Sequence, residues 1–192
     1  MPGDRKTAIC DALLRIAAAE GIAALTVERL AREIGVTSGA LFRHFPTRDA
    51  MLDAAGQRLA GLLLGSLPPA DLPPFDRLRL FFLNRLRMIT DHPGIPQLVF
   101  SGQFAKALPP AGARALRGAI RRSVEFLGQA AAEAATRGEV RTDVPSSEVV
   151  VLVMGALLAR GLLATHAAGQ AASPDEAWQR LATVLGPQAH RK

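Results

Sequence analysis

Apolar residues along this chain recur at helical spacing between glycine and proline stops, and period-two alternation bounded by turn residues is scarce. Such a chain buries its apolar stripes by packing helix on helix. Ile9, Ala12, Leu13, Ile16 and Ala17 form the first stripe, and Gly21 is placed to end that helix. Thr26 opens a short helix through Ile34, with Leu30 and Ile34 on one face, and Gly35 stops it. A third short helix is expected from about Ser38 to Phe45, where Pro46 forbids its simple continuation. Thr47 is a good N-cap for a fourth, with Asp49 in its first turn, reaching roughly Leu67. Pro68-Pro69-Ala70-Asp71-Leu72-Pro73-Pro74 is then the clearest linker.

Beyond the linker, Phe75, Leu78, Phe82, Leu86 and Ile89 mark a helix closed by His92-Pro93-Gly94. A shorter helix is expected over Gln97 to Ala107. Leu116, Ile120, Val124 and Leu127 mark a long one to about Arg137, with Gly138 as its stop. Ser146 or Ser147 caps the next, through about Ala168. Ser173-Pro174-Asp175-Glu176 reads as N-cap, proline at the first helical position and glutamate completing a capping box. Nine helices and no strand make the expected fold class all-α.

With 192 residues, 49% hydrophobic and 21% charged, the chain has a folding composition and room for one or two domains. A single cysteine, Cys10, excludes an intramolecular disulfide and a cysteine metal cluster, and a small buried hydrophobe is the reading for it. The charged start at Asp4, Arg5 and Lys6 is unlike a signal peptide. The longest apolar run, Val149 to Ala159, is interrupted by Arg160 and is shorter than the about 20 residues that span a bilayer. The expectation is a soluble, cytoplasmic protein. The formal net charge of +6 admits nucleic acid or an anionic surface as partner without choosing between them.

Residues 26–45 read TVERLAREIGVTSGALFRHF. Leu30, Ala31, Ile34, Gly35, Val36 and Leu41 fall where two helices hinged on a tight turn need them. Ala31 is small where the second helix crosses, and Gly35 takes a left-handed turn without steric cost. Val36 and Leu41 lock the pair, so this is a helix-turn-helix whose second helix presents Thr37, Ser38, Arg43 and His44 outward, free to enter a major groove. The plainer alternatives are a solvated surface charge for Arg43, capping or packing for His44, and N-capping alone for Thr26 and Thr47.

GVTSGALFRHFPTRDAML, Gly35 to Leu52, resembles the N-terminal signature of the TetR family of bacterial transcriptional regulators, and the preceding helix and TVERLAREI fit the same module. The strong part of the resemblance covers roughly residues 7–56; the remainder is similar only as a divergent, all-helical C-terminal domain. It implies an N-terminal three-helix DNA-binding domain with a helix-turn-helix over 1–47. A C-terminal helical bundle for ligand binding and dimerisation would cover 48–192, the helix 48–67 connecting the two. It also implies a homodimer on a near-palindromic double-stranded DNA operator and a small-molecule effector. By position, Thr26, Thr37, Ser38, Gly39, Phe42, Arg43, His44 and Arg48 are then the DNA-binding residues. Phe42 stands where the family usually has Tyr, so a phosphate-reaching hydroxyl is missing. Arg48 stands for a common Lys and keeps its charge.

The C-terminal helices are rich in large apolar residues. The resemblance makes Phe82, Leu86, Met88, Phe100, Phe104, Phe126 and Met154 the candidate lining of an effector pocket; ordinary core packing is the alternative. Arg85, Arg121 and Arg122 are candidates for an acidic ligand, although exposed arginine on a helix is the default. The helix Val149 to Ala164 is apolar nearly all round, with small residues at Gly155, Ala156, Ala159 and Gly161. It therefore needs covering by its own domain and by a partner, or else is a core helix of a monomer. In the family the last two long helices form the dimer interface; here the second of them carries Trp178, Leu181, Val184 and Leu185.

No catalytic constellation is visible. His44, His92, His166 and His190 show no ligand spacing, and there is no nucleophile elbow, phosphate loop or tyrosine. Neither enzymatic activity nor a metal or cofactor is expected. The leading expectation is a sequence-specific DNA-binding regulator, a repressor released by a small molecule. The alternative is a helical small-molecule binding or carrier protein without a DNA-binding role.

Overall fold

The structure is a computed structural model that describes residues 2–166 and 172–187, with the side chains of residues 2–4 and 164–166 left aside. Among the described residues it is all-α, with α1 Pro2–Ala19, α2 Val27–Ile34, α3 Ser38–Phe42, α4 Arg48–Gly65, α5 Pro74–Asp91, α6 Ile95–Phe100, α7 Gln103–Ala107, α8 Pro110–Thr136, α9 Ser146–His166 and α10 Pro174–Leu185. Ten α-helices therefore stand where nine were expected. Gly102, at φ 68°, breaks the expected Gln97 to Ala107 helix into α6 and α7, because no ordinary helix continues through a left-handed residue. Helix α3 is also shorter than expected. After Phe42 the chain tightens, with the His44 amide donating to the Leu41 carbonyl at 2.9 Å, before Pro46. The expected end of α9 at Ala168 and the histidine at 190 lie outside the described residues.

The helices cluster into two compact units. One comprises the chain up to Leu63 together with Gly94–Ile120; the other comprises Leu64–Pro93 together with the described residues from Arg121 onward. In the first unit Ile9, Leu13 and Ile16 of α1, Leu30 of α2, Leu41 of α3 and Leu52 and Leu59 of α4 are almost wholly buried, with Phe104 and Leu116. Helices α6, α7 and the start of α8 belong here because their backbones pack closely on the N-terminal helices. A Cβ on Gly56 of α4 would lie 2.9 Å from the Gly112 Cα. The Asp53 carboxylate accepts a 2.6 Å hydrogen bond from the Gly112 amide, capping the first turn of α8 from α4. Arg58 pairs with Asp11 at 2.9 Å, joining α4 to α1.

In the second unit α5 packs on α9 and α10. Leu78, Phe81 and Phe82 of α5, Leu127 and Ala131 of α8, Val149 and Val153 of α9 and Trp178 of α10 form its core. The Trp178 ring lies 5.4 Å from Phe75 and 5.8 Å from Phe82. The capping box at Ser173 and Glu176 is complete, and the Arg141 amide caps the end of α10 through the Leu185 carbonyl at 2.8 Å. Arg77 of α5 is buried and ion-paired with Glu133 of α8. Helix α9 corrects one expectation: it outruns the uninterrupted apolar stretch, and Ser146–Leu163 is long and apolar enough, by length and composition, to cross a membrane. Its Val149, Val153 and Leu157 are nevertheless packed inside the unit, while Val151 (58% exposed) and Leu163 (62%) face outward.

Candidate nucleic-acid interface

The helix-turn-helix is assembled by local chemistry. The Thr26 hydroxyl accepts from the Arg29 amide at 3.0 Å and starts α2, with Glu28 in the first turn. Gly35 ends it at φ 69°, and the Val36 amide reaches back to the Ala31 carbonyl at 3.0 Å. The Thr37 hydroxyl accepts from the Ala40 amide at 3.2 Å and starts α3. Leu30, Ala31 and Leu41 are buried between the helices, which fixes α3 against α2. After the turn Phe45 is buried, with the Lys6 ammonium of α1 5.4 Å above its ring. Thr47 then caps α4 through the Ala50 amide at 3.1 Å.

The expected DNA-facing residues of α3 and the turn after it differ in exposure. Thr37, Gly39, Phe42 and Arg43 are exposed, whereas Ser38 and His44 are half-buried. Phe42 is 44% exposed, a large ring left in water by its own domain. Gly39 has no need of its missing side chain, since an added Cβ would meet only the Thr37 hydroxyl at 4.0 Å. A glycine inside a helix costs about 1 kcal/mol against alanine, and neither φ nor packing within the chain requires it there.

Thr26 and Arg48 come together at the start of α2. One Arg48 guanidinium nitrogen donates to the Leu25 carbonyl at 3.4 Å, and Thr26, Val27 and Arg48 line the same shallow crevice above Leu13 and Leu52. That corner holds a fixed cation beside the free amides of a helix N-terminus, an arrangement suited to a phosphate oxygen.

Arg29 and Arg15 of the module are ion-paired. Arg29 forms a bidentate pair with Glu20, at 2.5 Å from Nη2, and a second with Glu33 at 2.9 Å. These contacts hold the Glu20 carboxyl below its ordinary range and raise Arg29 further. Arg15 also lies near Glu33, at 3.7 Å. Sequence reasoning did not find this network, because Glu20 and Arg29 are separated by a turn. Among the described residues Arg43 and Arg48 have no carboxylate partner. Cys10 is buried, and burial pushes its thiol up to about 11. Among the described residues no group of three His, Cys, Asp or Glu side chains could hold a metal ion.

The seven candidate pocket residues are divided between the two units. Phe82, Leu86, Met88, Phe126 and Met154 belong to the second unit, and Phe100 and Phe104 to the first. Phe104 is core, whereas Phe100 is 44% exposed. Arg121 and Arg122 are exposed, as the default holds, but Arg85 is only 5% exposed.

Residues 9–55 match the model of the bacterial regulatory proteins, tetR family. Over 100 residues the chain is 28% identical to the nucleoid occlusion factor SlmA of Yersinia enterocolitica, a match that spans about half of each protein. In three dimensions it is similar along nearly its whole length to a ketosteroid transcriptional regulator, KstR2 of Mycobacterium tuberculosis. That superposition has a TM-score of 0.78 at 15% identity and covers 96% of each chain. It is similar also to AibR solved with isovaleryl coenzyme A and operator DNA, with a TM-score of 0.75 at 16% identity, covering 94% of this chain and 97% of that one.

Proposed function

Because the chain carries the N-terminal domain of the tetR family of bacterial regulatory proteins on the fold of TetR-family regulators, we propose that it is a sequence-specific DNA-binding transcriptional regulator. In this reading it is a cytoplasmic homodimer, a repressor released from a near-palindromic operator by a small-molecule effector. One observation carries the DNA-binding part. Two exposed cations without carboxylate partners among the described residues, Arg43 and Arg48, sit on the same short module as the exposed Thr37, Gly39 and Phe42 and the capped start of α2.

Helix α3 enters the major groove, where Ser38, Gly39, Arg43 and His44 approach base edges or flanking phosphates. Thr37 opens that helix, and Thr26 with Arg48 holds a backbone phosphate. The bare Gly39 lets the helix backbone approach the DNA closely. Two copies read successive major grooves about 34 Å apart. An effector that binds better to a dimer with another spacing releases the DNA, and to invert a 99:1 population it must prefer that state by about 5.5 kcal/mol.

The homodimer reading is supported by the outward apolar residues Val151, Leu162 and Leu163 of α9 and Val184 of α10, which a second copy would cover. Trp178 and Leu185, by contrast, are buried within the unit.

Titration of the protein against the DNA upstream of its own gene tests the reading. A specific complex weakened by Arg43→Ala and Arg48→Ala together is the expected result. No specific complex, or one indifferent to both substitutions, returns the protein to the carrier reading.

A further inference from the structure

Helix α5 turns two arginines into the second unit, and they are not alike. Arg77 has its charge answered by the Glu133 carboxylate, although its buried Nε has no hydrogen-bond partner. Arg85, two turns on, is equally buried but has no carboxylate among the described residues. Its Nη2 donates to the Ser123 hydroxyl at 2.6 Å, its Nη1 reaches the Met88 sulfur at 3.7 Å, and its guanidinium lies 5.0 Å over the Phe81 ring. Phe81 in turn stacks on Phe126 at 6.2 Å. Burial lowers the Arg85 pKa to about 10, which leaves it charged at neutral pH.

A guanidinium offers five donors and no acceptor, and taking it out of water is unfavourable unless an anion answers it. If this position served packing alone, an apolar residue of similar volume would do as well or better. A full positive charge held among aromatic rings, facing a neutral hydroxyl and a thioether, is therefore half of an ion pair. We infer that Arg85 anchors a small-molecule monocarboxylate with an apolar body. The carboxylate takes the planar fork of Arg85, and the apolar body lies against Phe81, Met88 and Phe126. This rests on the proposed effector reading and names the chemical class of that effector. A carboxylate fits better than a phosphate monoester, whose second charge would find no free cation here because Arg77 is committed to Glu133.

The test uses the full chain in calorimetric titrations with butyrate, octanoate, dodecanoate and phenylacetate. Octanol and octyl phosphate are the controls for tail and head group. Arg85→Met, which keeps the volume and removes the charge, is expected to weaken the best carboxylate about tenfold or more. It should also leave the thermal midpoint unchanged or raised, so that a loss of binding is not a loss of fold. Quenching of Trp178, which lies in the same unit, gives a second readout. The inference is overturned if none of the four acids binds, if octanol or octyl phosphate binds as well as octanoate, or if Arg85→Met binds the acids unchanged. DNA binding measured without ligand separates the two claims. A protein that binds its upstream DNA but no carboxylate refutes the ligand class alone. One that binds carboxylate through Arg85 but no DNA refutes the regulator reading alone.

Discussion

Arg48 and Arg29 are both arginines of the N-terminal module, yet they should behave oppositely when removed. Arg48 has no carboxylate partner and stands beside the Thr26 cap, held by one 3.4 Å hydrogen bond to the Leu25 carbonyl. Arg48→Ala therefore deletes a cation while breaking little of the fold. If that cation neutralises one phosphate per protomer, a dimer loses two, and each contributes about 0.9 to the slope of log affinity against log salt. The slope should then shallow by about 1.8. Between about 50 and 200 mM salt the variant should lose roughly tenfold less affinity than the wild type. Arg29 is different, because Glu20 and Glu33 already neutralise it. Arg29→Ala should leave the salt slope nearly unchanged and show itself in a lowered thermal midpoint. The assay is fluorescence anisotropy of one operator fragment at five or so salt concentrations, with thermal melts of the same samples. An unchanged slope for Arg48→Ala, or an equal loss of slope for Arg29→Ala, would falsify the assignment of the phosphate contact to the α2 corner.

Three further outcomes follow from other contacts. Asp53→Ala removes a charged acceptor from the Gly112 amide at the start of α8. It should destabilise the fold by about 2 kcal/mol, a drop of roughly 4–8 °C in midpoint at fixed protein concentration, with Asp53→Asn losing less. The Glu20 carboxyl is held below its ordinary value of 4.5 by its hydrogen bonds to Arg29. Its contribution to stability is therefore complete above about pH 5 and is lost as pH falls through the lowered folded pKa. Glu20→Gln should flatten the acid limb of a stability-against-pH curve and leave the neutral plateau lower. Phe42→Tyr places a hydroxyl on a ring that is already exposed. It should tighten operator binding severalfold in gel-shift titrations without changing the thermal midpoint, and no gain would mean that the ring does not reach a phosphate.

What was legible in the sequence is what local chemistry decides. Thr26, Thr37 and Thr47 cap helices through amides three residues on, and Gly35 turns the chain, all within one turn of backbone. The break at Gly102 and the early end of α3 were also local, but glycine takes either hand at little cost, so the residue type alone did not announce a left-handed position. The pairing of Arg29 with Glu20 crosses the turn between α1 and α2, so no spacing announces it. Arg85 was legible in principle. Leu78, Phe81, Phe82 and Ile89 set a buried stripe at helical spacing, and Arg85 lies on it, seven residues after Leu78 and four before Ile89. The sequence placed Arg85 beside Arg121 and Arg122 as an acidic-ligand candidate with solvation as the default, and its own periodicity is what sets it apart as the buried one.

Arg43 and Arg48 in one unit and Arg85 in the other are all cations without a carboxylate partner among the described residues, but Arg43 and Arg48 are exposed and Arg85 is buried, so their surroundings give the charges different physics. Residues 1–58 hold eight basic and seven acidic side chains, so the module has little net field to attract DNA from a distance. Pairing removes Arg15, Arg29 and Arg58 from what remains. On the proposed reading, DNA affinity then comes from a few exposed contacts at short range. Exposed charges are screened within about 8–10 Å at ordinary ionic strength, so that affinity falls steeply as salt rises. Arg85 is buried among Phe81, Met88 and Ser123 and is screened far less. Carboxylate binding at Arg85 should therefore change little across the salt range that abolishes DNA binding. Release by ligand and release by salt would then be separable events on the same protein.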